Sequence, residues 1–270
     1  MERSLSAVLF LVASVALSIG AGSWWMQRIV FTPDDTRDTA AAILNDPDIR
    51  QEINTVITGA SAPALGVTTT ELGALLENVV LSSRPGAAVM GPIIKQAHER
   101  IIGLNDAPVQ VTGSEMIPIV LDQKAADVST VTLPIPVIGT LKTLRSSLGW
   151  LFPIASGIGL LVLLLGIFAR PERTEVLRGL GEFGLALALA MLLFGYAIPV
   201  HMITAIDNST WTHAIPQLAM RTLPVVLGAA TIFGLSGLAL IMGSMSGGKR
   251  RQFSTPLAVG RYRSDGPGWG

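Results

Sequence analysis

The chain has 270 residues, half of them hydrophobic and 14% charged, with a formal net charge of zero. Soluble domains carry about 25% charged residues, so this balance points to a membrane. Zero net charge excludes a global basic field for nucleic acid. The absence of cysteine excludes disulfides, thiolate metal sites, cysteine nucleophiles and a lipid-modified N-terminal cysteine.

Four apolar runs dominate the pattern: Leu5–Met26, Leu148–Phe168, Leu180–Val200 and Leu223–Met242. Each is about as long as a helix must be to cross a hydrocarbon core of ~30 Å. The expected fold class is a mainly α membrane protein: four transmembrane helices, with a mostly helical exterior domain and a minor β element between helices one and two. The expected divisions are an N-terminal transmembrane helix (1–26), an extracytoplasmic domain (27–145), a three-helix transmembrane region (146–243) and a basic, disordered cytoplasmic tail (244–270).

The first run also has features of a cleaved signal peptide, with small residues at Ala21-Gly22-Ser23. Its length exceeds a usual signal core, and Trp24-Trp25 suit an interfacial anchor. A retained helix is therefore expected. It carries Ser14, Ser18 and Gly22 at every fourth position, a small-residue stripe where helices can approach closely. The stripe serves either internal packing or a partner. Gly184 and Ala188, and Ala230 and Gly234, offer similar seams.

In the 27–145 segment, Asp46-Pro47-Asp48 opens a helix: Asp46 caps it, Pro47 takes the first position and Asp48 meets the positive dipole end. Ile49, Ile53, Val56 and Ile57 follow at helical spacing. Thr68-Thr69-Thr70-Glu71 opens a second helix with Leu72, Leu75, Leu76, Val79 and Val80 on one side, and Arg84-Pro85-Gly86 breaks it. A third places Met90, Ile94, Ala97 and Ile101 inward and ends at Gly103; Pro92 either starts or kinks it. Val109–Thr112 and Val128–Leu133 alternate as strands, with a helical crossover over Ser114–Lys124. The second membrane helix is expected to begin near Gly139, with Lys142 and Arg145 at the interface.

Charge sets the expected topology. Arg3, Arg170, Arg173, Arg178, Lys249, Arg250, Arg251, Arg261 and Arg263 fall on one side, and Arg28, Arg37, Lys142, Arg145 and Arg221 on the other. Positive charge favours the cytoplasm, so both termini are expected inside at the plasma membrane.

Candidate chemistry is sparse. His98-Glu99 begins a zinc-protease pattern, but Ile102 stands where the second histidine belongs. The pair is expected on the solvated face of its helix. His201 and His213 flank the short second exterior loop, and a metal there needs a third ligand such as Asp207. Gly243–Lys249 approaches a phosphate-binding loop, but Arg250 replaces the Ser or Thr and no strand precedes it. Ser114 lacks a base and is expected to cap the next helix; Asn208-Ser209-Thr210 fits a glycosylation sequon, and the same residues serve well as a cap for a short interfacial helix carrying Trp211. No membrane run has an ionisable residue near its middle, which argues against an ion-coupled transporter. No catalytic, cofactor or metal residue is therefore assigned.

Four stretches, Met1–Ser14 (MERSLSAVLFLVAS), Ser23–Arg28 (SWWMQR), Val109–Glu115 (VQVTGSE) and Ala169–Arg173 (ARPER), resemble a group of actinobacterial, mainly mycobacterial, envelope membrane proteins with the same layout. Arg170, Pro171, Glu172 and Arg173 stand where that group keeps a basic cytoplasmic turn. The resemblance implies an accessory subunit beside a mammalian-cell-entry (Mce) type lipid importer. The expected function is a non-enzymatic accessory or scaffold protein, with membrane lipids and a membrane-protein complex as partners and no nucleic acid. The alternatives are a module that binds a lipid or cell-wall ligand, lodged among Ile49, Leu76 and Ile94, and an enzyme whose Glu77, His98 and Glu99 converge in a cleft.

Overall fold

The computed structural model describes residues 2–34, 36–169, 173–203, 205 and 209–252. It is mostly helical, and four of its helices are long and apolar enough to cross a membrane: Leu5–Val30, Gly139–Phe168, Glu175–Met202 and Thr210–Met245. The chain is thus built as a multi-pass membrane protein.

The first of these, α1 (Glu2–Val30), runs between two neighbours, α7 (Gly139–Phe168) and α8 (Arg173–Leu192); α8 in turn packs on α9 (Ala214–Gln252). Close approach rests on small residues. A Cβ on Gly184 would lie 2.8 Å from the Phe233 carbonyl, and one on Gly237 would lie 2.6 Å from the Gly181 carbonyl. Without side chains there, the α8 and α9 backbones meet directly, which suits association driven by contact rather than by water exclusion. Beyond Leu192 the helix widens into π turns over Leu193–Met202. Pro199 lies inside this stretch, has no N–H and crowds the preceding turn. α9 continues through Gln252, so residues 244–252 extend a helix instead of starting a disordered tail; the rest of the expected tail, 253–270, lies outside the described residues.

Between α1 and α7 come α2 (Arg37–Ile43), α3 (Pro47–Leu65), α4 (Thr69–Leu75), α5 (Arg84–Ile101), β1 (Val109–Val111), α6 (Gly113–Val120) and β2 (Val131–Leu133). Asp46 caps α3 through the N–H groups of Asp48 and Ile49, and Gly66 closes it in the left-handed conformation, φ 69°. Thr68 and Glu71 form a capping box on α4. A π turn over Leu76–Leu81 then follows α4, and Leu75 and Val79 are exposed while Leu72, Leu76 and Val80 are buried. The expected five-residue stripe is therefore only partly inward: the i, i+4 row Leu72, Leu76 and Val80 is buried, and Leu75 and Val79 face outward. Arg84-Pro85-Gly86 begins α5 instead of only breaking its predecessor, and Pro92 sits inside it. α6 is capped by Thr112 with Glu115, not by Ser114. β1 and β2 pair antiparallel, Val109 opposite Leu133, so the intervening helix links a wide hairpin and is not a crossover.

The core of this segment is continuous with that of the membrane helices. One continuous core joins Ile49, Ile53, Leu76, Met90 and Ile94 to Met26 and Val30 of α1, Leu141 and Leu148 of α7, and Ile203, Trp211, Ile215 and Leu218 beside or on α9. The core runs past both expected domain boundaries, 26/27 and 145/146.

Candidate functional site

The seam between the inter-helix segment and the ends of α1 and α9 is tied by polar side chains. His98 on α5 places Nε2 2.7 Å from the Val30 carbonyl. A carbonyl only accepts, so Nε2 carries the proton and Nδ1 is left with a lone pair. Arg221 on α9 donates to Thr39 Oγ1 on α2 at 2.6 Å, and Trp211 Nε1 donates to Glu52 Oε1 on α3 at 3.0 Å. His213 Nδ1 faces Asp46 Oδ2 at 3.5 Å and Asp48 Oδ2 at 3.9 Å.

A cavity of about 580 Å³ opens in this seam, lined by Arg28, Thr32, Asp34, Thr39, His98 and Arg221 and by the apolar Ile29, Leu218 and Val225. The chain builds it locally. α1 ends at Val30, and Arg28 sits in its last turn, where a cation complements the dipole. The chain then turns: Thr32 Oγ1 donates to the Gln27 carbonyl, and Asp34 Oδ1 accepts from the Thr36 backbone N–H at 3.1 Å and its hydroxyl at 2.7 Å. Thr36 caps α2, which carries Thr39 to the cavity wall.

Charge in the cavity is uneven. Partial burial opposes the Asp34 charge, but hydrogen bonds from Thr39 and Thr36 and the nearby Arg221 outweigh it, and the carboxyl sits below its ordinary range. Burial holds the His98 imidazole below the usual histidine value, against the Val30 hydrogen bond and the Asp34 charge. With His98 neutral, the lining carries two guanidinium groups against one carboxylate. Among the described residues, Arg28 has no ion-pair or hydrogen-bond partner, and the buried His98 Nδ1 has none either.

These positions correct the sequence reading in one central respect. His98 is 1% exposed, not solvated, while Glu99 is only partly buried. Glu77 pairs with Arg50 at 2.8 Å, and neither it nor Glu99 lines the cavity, so the three groups of the enzyme alternative do not converge there. Ile49, Leu76 and Ile94 are packed core residues. Ser209 does cap a short 3₁₀ turn, Thr210–His213, but Trp211 is buried in the seam. Asp207 and Asn208 lie outside the described residues; the carboxylates brought to His213 are those of Asp46 and Asp48, all three ligand atoms lying within 4.8 Å of one another. His201 stacks edge-on with Tyr196 at 5.5 Å.

The stripe on α1 lies inside the bundle. Ser14 and Ser18 are buried, and a Cβ on Gly22 would lie 2.5 Å from the Phe194 ring. Ser14 also borders an apolar crevice of about 280 Å³ between α1, α7 and α8. Gly234 faces Ala188, so that seam is internal as well. No family model, no curated protein sequence and no solved structure matches the chain.

Proposed function

We propose that the chain is a non-enzymatic accessory or scaffold protein of the plasma membrane. Both termini face the cytoplasm, and the segment between α1 and α7 stands on the extracytoplasmic side. The observation that supports this reading is the shared core: Met26 and Val30 of α1 pack in one cluster with Ile49, Met90 and Ile94 of the segment. A segment fused to its anchor in this way is a rigid platform held at a fixed height above the bilayer. Ordinary inter-domain interfaces permit relative motion; burial of this continuity opposes it. The resemblance in sequence layout suggests the client, an Mce-type envelope lipid-transport complex.

The test is affinity purification of the full chain from native membranes in mild detergent. Stoichiometric recovery of lipid-transporter subunits is the expected result. Recovery of the chain alone, with its fold intact, would overturn the scaffold reading. A second reading, a module that itself binds lipid, is favoured by one observation, the cavity lined by Arg28 near the end of α1 and Arg221 in the first turns of α9.

A further inference from the structure

We propose that the seam cavity seats the headgroup of a phospholipid from the leaflet on that side, its phosphodiester between Arg28 and Arg221 and a hydroxyl or ammonium donor of the headgroup toward His98. This inference rests on the lipid-binding reading and gives it a site and a ligand class.

The argument begins with position. Arg28 lies two residues before the end of α1, and Arg221 lies just before the apolar run of α9. Both are at the boundary between apolar helix and polar segment, where lipid phosphates lie. The lining is mixed in a matching way: Ile29, Leu218 and Val225 are apolar, and Thr32, Thr39, Asp34 and His98 are polar. Val225 is exposed, so the apolar lining continues onto the surface that faces acyl chains.

Charge comes next. Two guanidinium groups against one carboxylate leave an excess of one positive charge, which suits the single negative charge of a phosphodiester. Arg221 spends one N–H on Thr39 and keeps others. Arg28 spends none among the described residues. Guanidinium forks match phosphate oxygens in geometry as well as charge.

His98 supplies the independent observation. It is 1% exposed and lines the cavity, and its buried Nδ1 has no hydrogen-bond partner among the described residues. A buried, unpaired acceptor is costly unless a donor reaches it. The Asp34 carboxylate, which lines the same cavity and acts on His98 electrostatically, is a second acceptor. A glycerol or ethanolamine headgroup carries such donors beside its phosphate; choline carries none.

The experiment uses the full chain, delipidated in detergent and titrated with phosphatidylglycerol, with phosphatidylcholine and with inorganic phosphate, bound species being counted by native mass spectrometry. Phosphatidylglycerol is expected to bind wild type with a dissociation constant on the order of ten-fold lower than phosphatidylcholine does, a gap set by the unpaired acceptors. Arg28→Gln is expected to weaken phosphatidylglycerol about ten-fold and to lower the melting temperature of the lipid-free protein only slightly, since Arg28 makes no side-chain hydrogen bond or ion pair among the described residues and loses only its favourable place in the last turn of α1. No lipid binding at all would overturn the lipid-binding reading together with this site. Phosphatidylglycerol binding that ignores Arg28→Gln would overturn the site alone. Equal binding of phosphatidylcholine would overturn the headgroup assignment, and inorganic phosphate that displaces the lipid at equal concentration would make the cavity a site for the free anion.

Discussion

His98 Nε2 lies 2.7 Å from the carbonyl oxygen of Val30. Val30 is the last residue of α1, and the last four carbonyls of a helix have no partner within it. Most helix ends solve this with water or a glycine turn. Here the carbonyl is covered by the segment that follows, and an imidazole from α5 supplies the donor. The bond joins two residues 68 positions apart and fixes the segment to the end of the first membrane helix.

Removing that donor is therefore expected to cost stability. His98→Ala leaves a buried carbonyl unpaired and a void beside it, together about 2–4 kcal/mol. His98→Gln keeps a donor and is expected to cost less than half as much. Glu99→Gln, on the partly solvated side, should stay within about 0.5 kcal/mol. Melting temperatures in detergent measure the order; equal loss in the alanine and glutamine variants would contradict the hydrogen-bond account.

A pH dependence follows from the same residue. Burial lowers the folded-state pKa of His98 below its ordinary 6.5, with Asp34 opposing that shift. Arg28 and Arg221, on the same cavity, add no incentive to protonate. The unfolded chain binds the proton first, so the stability from neutral His98 is complete above pH 6.5 and lost as pH falls toward the lower folded value. Wild type should melt progressively earlier below pH 6.5, and His98→Gln should lack that component. Identical pH profiles for the two proteins would refute it.

Part of this was legible in the residues. Asp46-Pro47 and Thr68/Glu71 announce their helices because capping is local chemistry. The four long apolar runs announce the membrane helices for the same reason. His98 carried a signal that residue type concealed: Ile94, His98 and Ile101 follow the i, i+4, i+7 spacing of one buried face, and a histidine there reads as a core position once polarity is set aside. The Arg28–Arg221 cavity had no local signal, since it joins residues 193 positions apart (28 to 221) across elements whose packing no spacing reveals. The π turns at Leu76–Leu81 were equally hidden, because α and π turns share their residue preferences.

Trp211 and Glu52 form the second tie, 3.0 Å long, and the indole is 1% exposed. Trp211→Ala is expected to cost about 3–5 kcal/mol through lost packing. Trp211→Phe keeps most of the ring and loses the N–H. In a double-mutant cycle with Glu52→Ala, thermal unfolding should show a coupling of about 1.5–3 kcal/mol, the value of a hydrogen bond to a charged group. A coupling near zero would show that the indole acts by packing alone.

The α1 stripe separates internal packing from partner docking. Gly22→Leu would push side-chain atoms into the Phe194 ring, so lower folded yield is expected in fluorescence-detected size exclusion. Ser18 Oγ is buried without a hydrogen-bond partner among the described residues, so Ser18→Ala removes an unpaired hydroxyl and should leave the melting temperature equal or higher. A well-folded Gly22→Leu protein would contradict the internal placement.

Topology carries the whole account, because a platform and an outer-leaflet headgroup site both require the segment between α1 and α7 to face outward. The chain contains no cysteine, so single-cysteine labelling needs no prior substitutions. Leu104 is 52% exposed on that segment, and Glu175 lies near the start of α8. A membrane-impermeant maleimide should label Leu104→Cys in intact cells and Glu175→Cys only after permeabilisation. Labelling of Glu175→Cys in intact cells, with Leu104→Cys protected, would contradict the account at its base.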